Sequence, residues 1–347
     1  MTDQPGTGPY QLPNPNLTWE QTAQTNVGTN IGLFKNAVNI ELNYYNKYTT
    51  QLLVQAQAAA TTGFSTYYTN DGAIRNRGFE FAITSVNFAS KNFRWTTEFN
   101  ASRNFNKIVQ LGSPITNFDA SRNLLIDKQG YALYSYWLYK QAYVDPKTGA
   151  AVFRHADGTT GTAYTTSTNT ANRQIFDIAP KLFGGLTNGF VYKAFDLNVF
   201  FTYEYGNKEW NHNRMLGETG GTLGPSGRVL LASQLKRWTQ QGQITEVPRL
   251  DAENYSIQQS SRFLENGSFL RLRSVSLGYS LPRSAAAALK VQSARLAFMA
   301  TNLFLVTKYS GADPETNLQQ GAPNIQGYDY GIPPMPRSYQ LSLRVVL

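Results

Sequence analysis

The chain has 347 residues and a formal net charge of +9; aromatic residues make up 13% and charged residues only 15%. It has no Cys and only two His, His155 and His212, so disulfide scaffolds, thiolate metal sites and His-rich clusters are excluded, and a Ser-His-Asp triad would have to use one of those two. The 31 Lys and Arg are scattered, and even Arg271, Arg273 and Arg283 form only a loose group, so no basic stripe for nucleic acid is present.

The mean hydropathy is −0.38, and no run approaches the 18 apolar residues of a membrane helix. Membrane β-strands escape that test, because lipid-facing and lumen-facing residues alternate and dilute the hydropathy. Residues 1–23 read as a leading segment or loop. They carry no charged stretch followed by an apolar one, so no signal peptide is expected within them.

From residue 24 onward the dominant pattern has period two, which predicts strands with one apolar and one polar face. Strands are expected at 24–34, 38–50, 71–87 and 93–108. Val38, Ile40, Leu42 and Tyr44 alternate with Asn39, Glu41 and Asn43, and Phe79, Phe81 and Ile83 alternate with Glu80, Ala82 and Thr84. Region 109–182 offers two further candidates, Tyr131 to Ala142 and Tyr143 to His155. A strand at 183–193 follows, and after it Phe195, Leu197, Val199, Phe201 and Tyr203 form another apolar face. The last, 337–347, sets Tyr339, Leu341, Leu343, Val345 and Leu347 against Ser338, Gln340, Ser342 and Arg344. Segments of about 10–15 residues exceed the usual strand of soluble sheets and suit tilted membrane strands.

Short turns at Phe34–Ala37, Ala89–Asn92 and Tyr192–Phe195 alternate with long polar connections at 51–70, 109–130, 207–262 and 308–336. This is the plan of an outer-membrane barrel, with short periplasmic turns and long extracellular loops. A soluble β-sandwich would show the same alternation, but the long loops and strands count against it. Parity requires an even number of spanning strands in 109–182, and counting both candidates gives about eleven in all.

Individual words along these strands go further. Asn14-Pro-Asn-Leu-Thr-Trp-Glu20 is followed by Thr25-Asn-Val-Gly28, Tyr44-Tyr-Asn-Lys47, Leu52-Leu53 and Thr62-Gly-Phe-Ser65. Asn70-Asp-Gly-Ala-Ile-Arg-Asn-Arg-Gly-Phe-Glu-Phe81 comes next, then Phe183-Gly-Gly-Leu-Thr-Asn-Gly-Phe190 and Arg237-Trp238-Thr239. Asn266-Gly-Ser-Phe-Leu-Arg-Leu-Arg273, Asn302-Leu-Phe304, Thr307-Lys-Tyr-Ser-Gly311, Asp313-Pro-Glu315 and Pro336-Arg-Ser-Tyr339 complete the series. In this order, over 14–347, they resemble the late barrel of the SusC/RagA family of TonB-linked outer-membrane receptors. The residues that carry the motifs are Trp19, Glu20, Arg75, Gly78, Glu80, Arg237, Trp238, Ser268, Phe269, Arg271, Asn302, Tyr309, Gly311, Asp313, Pro314, Glu315 and Arg337.

The resemblance implies an all-β fold: an antiparallel transmembrane β-barrel, here the C-terminal half of a 22-stranded transporter barrel over 24–347. The plug and N-terminal domains would lie outside this sequence. It implies TonB-dependent import of oligosaccharides, other nutrients or peptides across the outer membrane, as part of a SusCD-like complex. Its partners would be a SusD-like lipoprotein, the TonB-ExbB-ExbD system, lipid or lipopolysaccharide, and a glycan or peptide substrate; no cofactor and no nucleic acid are expected. The chain alone is expected to transport nothing, since an open half-barrel leaves two unpaired edges.

Two departures from the family stand out. The chain ends in Leu347 where an aromatic residue is usual, and Asp145-Pro-Lys-Thr-Gly149 replaces an acidic loop. Calcium needs several oxygen ligands close together, so no metal is expected at Asp145.

No catalytic residues are expected. An outer-membrane enzyme would need a nucleophile-base pair such as Ser167 or Ser226 with a His, and a passive porin-like barrel is the other alternative. Arg271 and Arg273 could bind an anionic substrate or lipopolysaccharide phosphates, although lumen-facing strand charges are the plainer reading. Asp313-Pro314-Glu315 could be a carboxylate pair but reads better as a turn. Tyr134, Tyr136, Trp137 and Tyr139 read as an aromatic girdle rather than a sugar platform. Tyr205, Asn207 and Trp210, which open the longest loop, are the candidates for substrate or lid contact. His155 and His212 are expected to be solvated.

Overall fold

The computed structural model describes residues 12–116, 124–162, 172–218, 230–250, 259–315 and 327–347. Nine long strands build one antiparallel sheet, numbered here in chain order. They are β1 Gln21–Leu33, β2 Val38–Thr50, β3 Gly72–Ala89, β4 Phe93–Leu111, β5 Leu182–Tyr192, β6 Phe195–Tyr205, β7 Phe269–Ser280, β8 Ser293–Thr307 and β9 Ser338–Val346. Each pairs with the next, from β1 to β9, with no crossover. No helix among the described residues is long and apolar enough to cross a membrane, which says nothing against crossing by strands.

The register turns the period-two pattern into continuous faces. Thr29, Leu42, Phe81 and Ala101 align across β1–β4. Phe190, Leu197, Leu277, Phe298 and Leu341 align across β5–β9. Large apolar side chains on this face stay open, with Phe79 at 59% and Leu341 at 71% exposure. The few polar groups here satisfy one another: Asn87 donates to Thr97 Oγ1 at 2.6 Å, and Trp95 Nε1 donates to Asn188 Oδ1 at 3.0 Å. Hydrogen bonds of this kind are what a polar group needs in an apolar medium.

The opposite face is polar. Tyr45 Oη donates to Asn104 Oδ1 at 2.9 Å, and Asn106 Nδ2 to Asn76 Oδ1 at 2.7 Å. Near the short turns, Arg295 holds Asp196 through two bonds of 2.5 and 2.8 Å. Gly278 lies beneath this pair; a Cβ there would come within 2.1 Å of Arg295 Nη2.

The turn after β1 passes through three consecutive left-handed residues, Phe34, Lys35 and Asn36, and Ala37 N closes it onto Phe34 O at 3.2 Å. At the other end of the strands the connections form a rim layer with small sheets of their own. Ser135–Val144 pairs with Ala151–Arg154 and Arg173–Phe176, and Lys208–Asn211 pairs with Leu264–Asn266 and Tyr328–Asp329.

These pairings correct the expected strand count. Both candidates within 109–182 fall in the rim, and β4 pairs directly with β5. Among the described residues the sheet therefore has nine strands instead of about eleven, and none of the described residues between β4 and β5 adds a spanning strand to it. Ser135–Val144 alternates like a spanning strand because protein, not lipid, covers its apolar side chains: Tyr136 and Leu138 are fully buried.

Candidate functional site

Where the sheet meets the rim, two sequence words that lie 42 residues apart close into one knot. A bulge between Leu272 and Ser274 interrupts the pairing of β7 with β8. Arg271 and Arg273, two residues apart, share a face of the strand, and the bulge falls at Arg273. Arg271 Nη2 meets Asp313 Oδ1 at 2.5 Å, and Arg271 Nε meets Glu315. Arg273 Nη2 reaches Glu315 Oε1, also at 2.5 Å. Asp313 further accepts Glu315 N at 3.0 Å and Met335 N at 3.1 Å. Asn302, left-handed at φ 54, donates to Pro336 O at 3.0 Å and fastens the other side. Both carboxylates are thus ion-paired and shaped into a turn around Pro314. The arginine charges are balanced by this chain's own acids, which leaves little for an external anion.

Above the knot lies an apolar core of Leu124, Leu125, Tyr136, Leu138, Ile178, Trp210, Phe263 and Tyr328. Trp210 has no exposed surface. It stacks on Tyr136 at 6.0 Å between ring centroids and meets Phe263 edge-on at 5.9 Å. The three expected contact residues therefore do not share a surface. Trp210 is core, and Asn207 is buried beside Gly267. Tyr205 is 64% exposed and, by its pairing with Leu182 and its alternation with Phe201 and Tyr203, belongs to the apolar face. Their loop position suggested exposure, but the loop folds inward.

The expected girdle is corrected in the same way, because Tyr134, Tyr136 and Trp137 belong to the rim, where Tyr136 and Tyr139 are buried. His212 is also held rather than solvated. Its Nδ1 lies 2.8 Å from Tyr328 Oη and accepts from Trp210 Nε1 at 3.4 Å, and its ring packs edge-on against Tyr330 at 4.5 Å. Accepting at Nδ1 places the proton of the neutral ring on Nε2. His155 Nδ1 contacts Thr159 Oγ1 at 3.1 Å. Ser167 and Ser226 lie outside the described residues.

Between the knot and this core opens a pocket of about 430 Å³, lined among others by Phe183, Glu204, Asn207, Lys208, Glu209 and Met335. Burial pushes the Glu209 carboxyl well above its usual range, and the negative charges of Asp329, Glu204 and Asp313 add to that. Asp329 is raised as well, chiefly by burial, and accepts from Tyr309 Oη at 2.8 Å. Burial lowers the Lys208 amine, which sits 5.3 Å from the Phe176 ring. The pocket is thus an acid-rich, partly desolvated cleft with one cation, suited to binding polar or cationic groups.

Several other motif residues hold turns and close approaches within the chain. Trp238 Nε1 donates to Pro146 O at 3.0 Å and lies over Gly149, where a Cβ would come within 2.4 Å of its ring. The Arg237-Trp238 word thereby clamps the turn at Asp145, whose carboxylate accepts from Lys147 N at 2.9 Å and Thr148 Oγ1 at 2.7 Å. Glu20 accepts from Leu53 N at 2.9 Å, whereas Trp19 is 91% exposed. Gly78 admits the Tyr45 hydroxyl, 2.5 Å from where its Cβ would stand. Ser268 Oγ accepts from Gly206 N at 2.9 Å, and Tyr309 folds over Gly311. Phe269 is buried, while Glu80 and Arg337 are exposed.

One further element gave no sequence signal. Glu218, fully buried, is held by Arg262 Nη2, by Arg214 Nε at 3.0 Å and by Ser233 Oγ at 2.5 Å. Its members are dispersed along the chain and meet only in the fold.

No protein-family model matches the chain. It is 31% identical to TonB-dependent receptor P3 of Formosa agariphila over 96% of its length and 34% of the relative's. It is 25% identical to TonB-dependent receptor SusC of Bacteroides thetaiotaomicron, over 87% of this chain and 30% of that protein. A structure of the RagAB peptide transporter superposes with a TM-score of 0.82 at 28% identity, covering 96% of this chain and 36% of the other. The chain spans about a third of the length of these relatives.

Proposed function

We propose, from the premise that this chain belongs to the TonB-dependent outer-membrane receptors of the SusC/RagA kind, that its nine strands form part of the wall of an energised nutrient importer. The observation that carries this reading is the consecutive pairing of nine long strands, one face apolar and the other polar, with a rim layer at one end only. The apolar face meets lipid, the polar face lines the path of the substrate, and the rim faces the outside.

The substrate class is oligosaccharide or peptide, as the likeness to SusC and to a peptide transporter supports. The pocket beside Glu204, Lys208 and Glu209 is its point of contact. Asn207 forms a wall of that pocket and Trp210 supports it from behind, while Tyr205 stands on the lipid side. A SusD-like lipoprotein covers the rim, and the TonB-ExbB-ExbD system supplies the energy. β1 and β9 each pair on one side only among the described residues. A bilayer cannot satisfy such edges, so residues 1–347 alone transport nothing.

Uptake of labelled oligosaccharides and oligopeptides tests this in cells that make the intact receptor, the intact receptor without TonB, or residues 1–347 only. Uptake is expected in the first case alone. Uptake that persists without TonB would replace the importer with a passive pore.

A further inference from the structure

We propose that the outer face of β3 and β4 binds the phosphate of an outer-leaflet lipid, through Arg75, Arg77, Arg103 and Lys107. The inference rests on the reading that the apolar face meets the bilayer. Register places all four on that face. Arg75 pairs with Lys107 and with Tyr48, Arg77 with Phe105, and Phe79 with Arg103. One row nearer the short turns, the face carries Leu42, Phe81 and Ala101. The cations therefore crown an apolar belt instead of interrupting it.

Their height fits a headgroup. From Phe93, at the short turn, to Arg103 is ten residues, or roughly 33 Å of strand at the usual rise. With a tilt of about 40° that is about 25 Å along the membrane normal, the height of the apolar band of such barrels. Lys107 stands about 10 Å higher by the same rise and tilt.

Nothing among the described residues neutralises the group. All four side chains are exposed, and none makes an ion pair among the described residues. Like charges directly across a strand pair, as at Arg75 and Lys107, are destabilising without a counter-charge. The guanidinium carbons of Arg103 and Arg77 lie 4.4 and 5.7 Å from the centre of the Phe105 ring, and that of Arg75 lies 5.2 Å from the Tyr48 ring. The rings hold the cations spread along the sheet. A cleft of about 570 Å³ opens beside them, between β4 and residues 129–132. Its one carboxylate, Asp177, is engaged by Ala179 N at 3.0 Å. Adjacent cations recognise a phosphate, and the belt beneath them accepts its acyl chains; a free anion would have no use for the belt.

The test is native mass spectrometry of the intact receptor in nonionic detergent. The probes are a phosphorylated, acylated diglucosamine lipid, the same lipid without its phosphate, and inorganic phosphate. Wild type is expected to retain the phosphorylated lipid, with retention roughly tenfold lower in R75Q/R77Q/R103Q/K107Q and unchanged in K35Q/K91Q/K193Q at the short turns, as expected where several cations share one headgroup. Equal retention by wild type and the patch variant, equal retention of the dephosphorylated lipid, or full displacement by inorganic phosphate would each overturn the site. Heat-modifiable migration of both variants from outer-membrane fractions separates these outcomes from a failure of the barrel itself. Loss of that migration in wild type would instead sink the underlying membrane reading.

Discussion

In the nine-strand sheet, large apolar side chains are the most open: Leu341 and Leu343 expose 71% and 70% of their surface. In the rim layer, Trp210, Phe263 and Leu138 expose none. Both regions are built from short-period alternation of apolar and polar residues, yet one offers its apolar face to lipid and the other closes around a core. A bilayer replaces the partner that a soluble sheet would need, so the sheet requires no second layer. The rim, standing in water, must supply its own.

That contrast can be broken at its centre by Trp210→Ala. Removing a fully buried Trp should cost the rim about 3–5 kcal/mol. Hydrogen exchange in the intact receptor should then rise over 135–144 and 264–266 and stay unchanged over 38–50. A rise in β2 of the same size would mean that sheet and rim are one cooperative unit.

The two faces of the sheet can be set against each other on neighbouring positions of β9. Leu341→Arg places a charge on the lipid face and should cost about 2–4 kcal/mol, depending on its depth. Gln340→Arg, on the polar face, should change stability little. Denaturant titration of the barrel after refolding into vesicles reads both, and equal costs would remove the distinction between the faces.

A smaller effect concerns Asp127 in the rim, which is buried and accepts Tyr134 N at 2.6 Å. Burial pushes its carboxyl up to about 6, against the lowering effect of that hydrogen bond. The folded state therefore holds the proton more tightly than the unfolded one. The contribution of Asp127 to rim stability is full below about pH 4 and is lost as pH rises from about 4 to about 6, by up to ~3 kcal/mol. Asp127→Asn, which keeps the acceptor, should flatten this slope in exchange experiments across that window.

Much of the sheet was legible because its signal is local. Val38 to Tyr44 and Tyr339 to Val345 each announce a strand and its outward face, and the short turns fix the pairing of neighbours. The stretch Tyr131 to His155 misled, because alternation reports that one face is apolar and not what covers it. Tyr136 and Leu138 meet Trp210 and Phe263, which lie far along the chain. The site was less legible still. Arg271, Arg273, Asp313 and Glu315 stood out as motif residues, but their mutual pairing depends on the path of the loop after β8. Trp210 looked like a contact because it opens a loop, and only packing shows it to be support.

The orientation of the sheet carries the whole account, and the absence of Cys makes it directly measurable. Single cysteines at Lys35, Lys91 or Lys193 in the short turns, and at Thr61, Gln240 or Tyr330 in the rim, would be placed in the otherwise Cys-free chain segment of the intact receptor. Intact cells would then meet a membrane-impermeant maleimide. The account predicts labelling at the three rim positions and at none of the turns until the outer membrane is opened. Labelling of the turns in intact cells, with the rim protected, would contradict it.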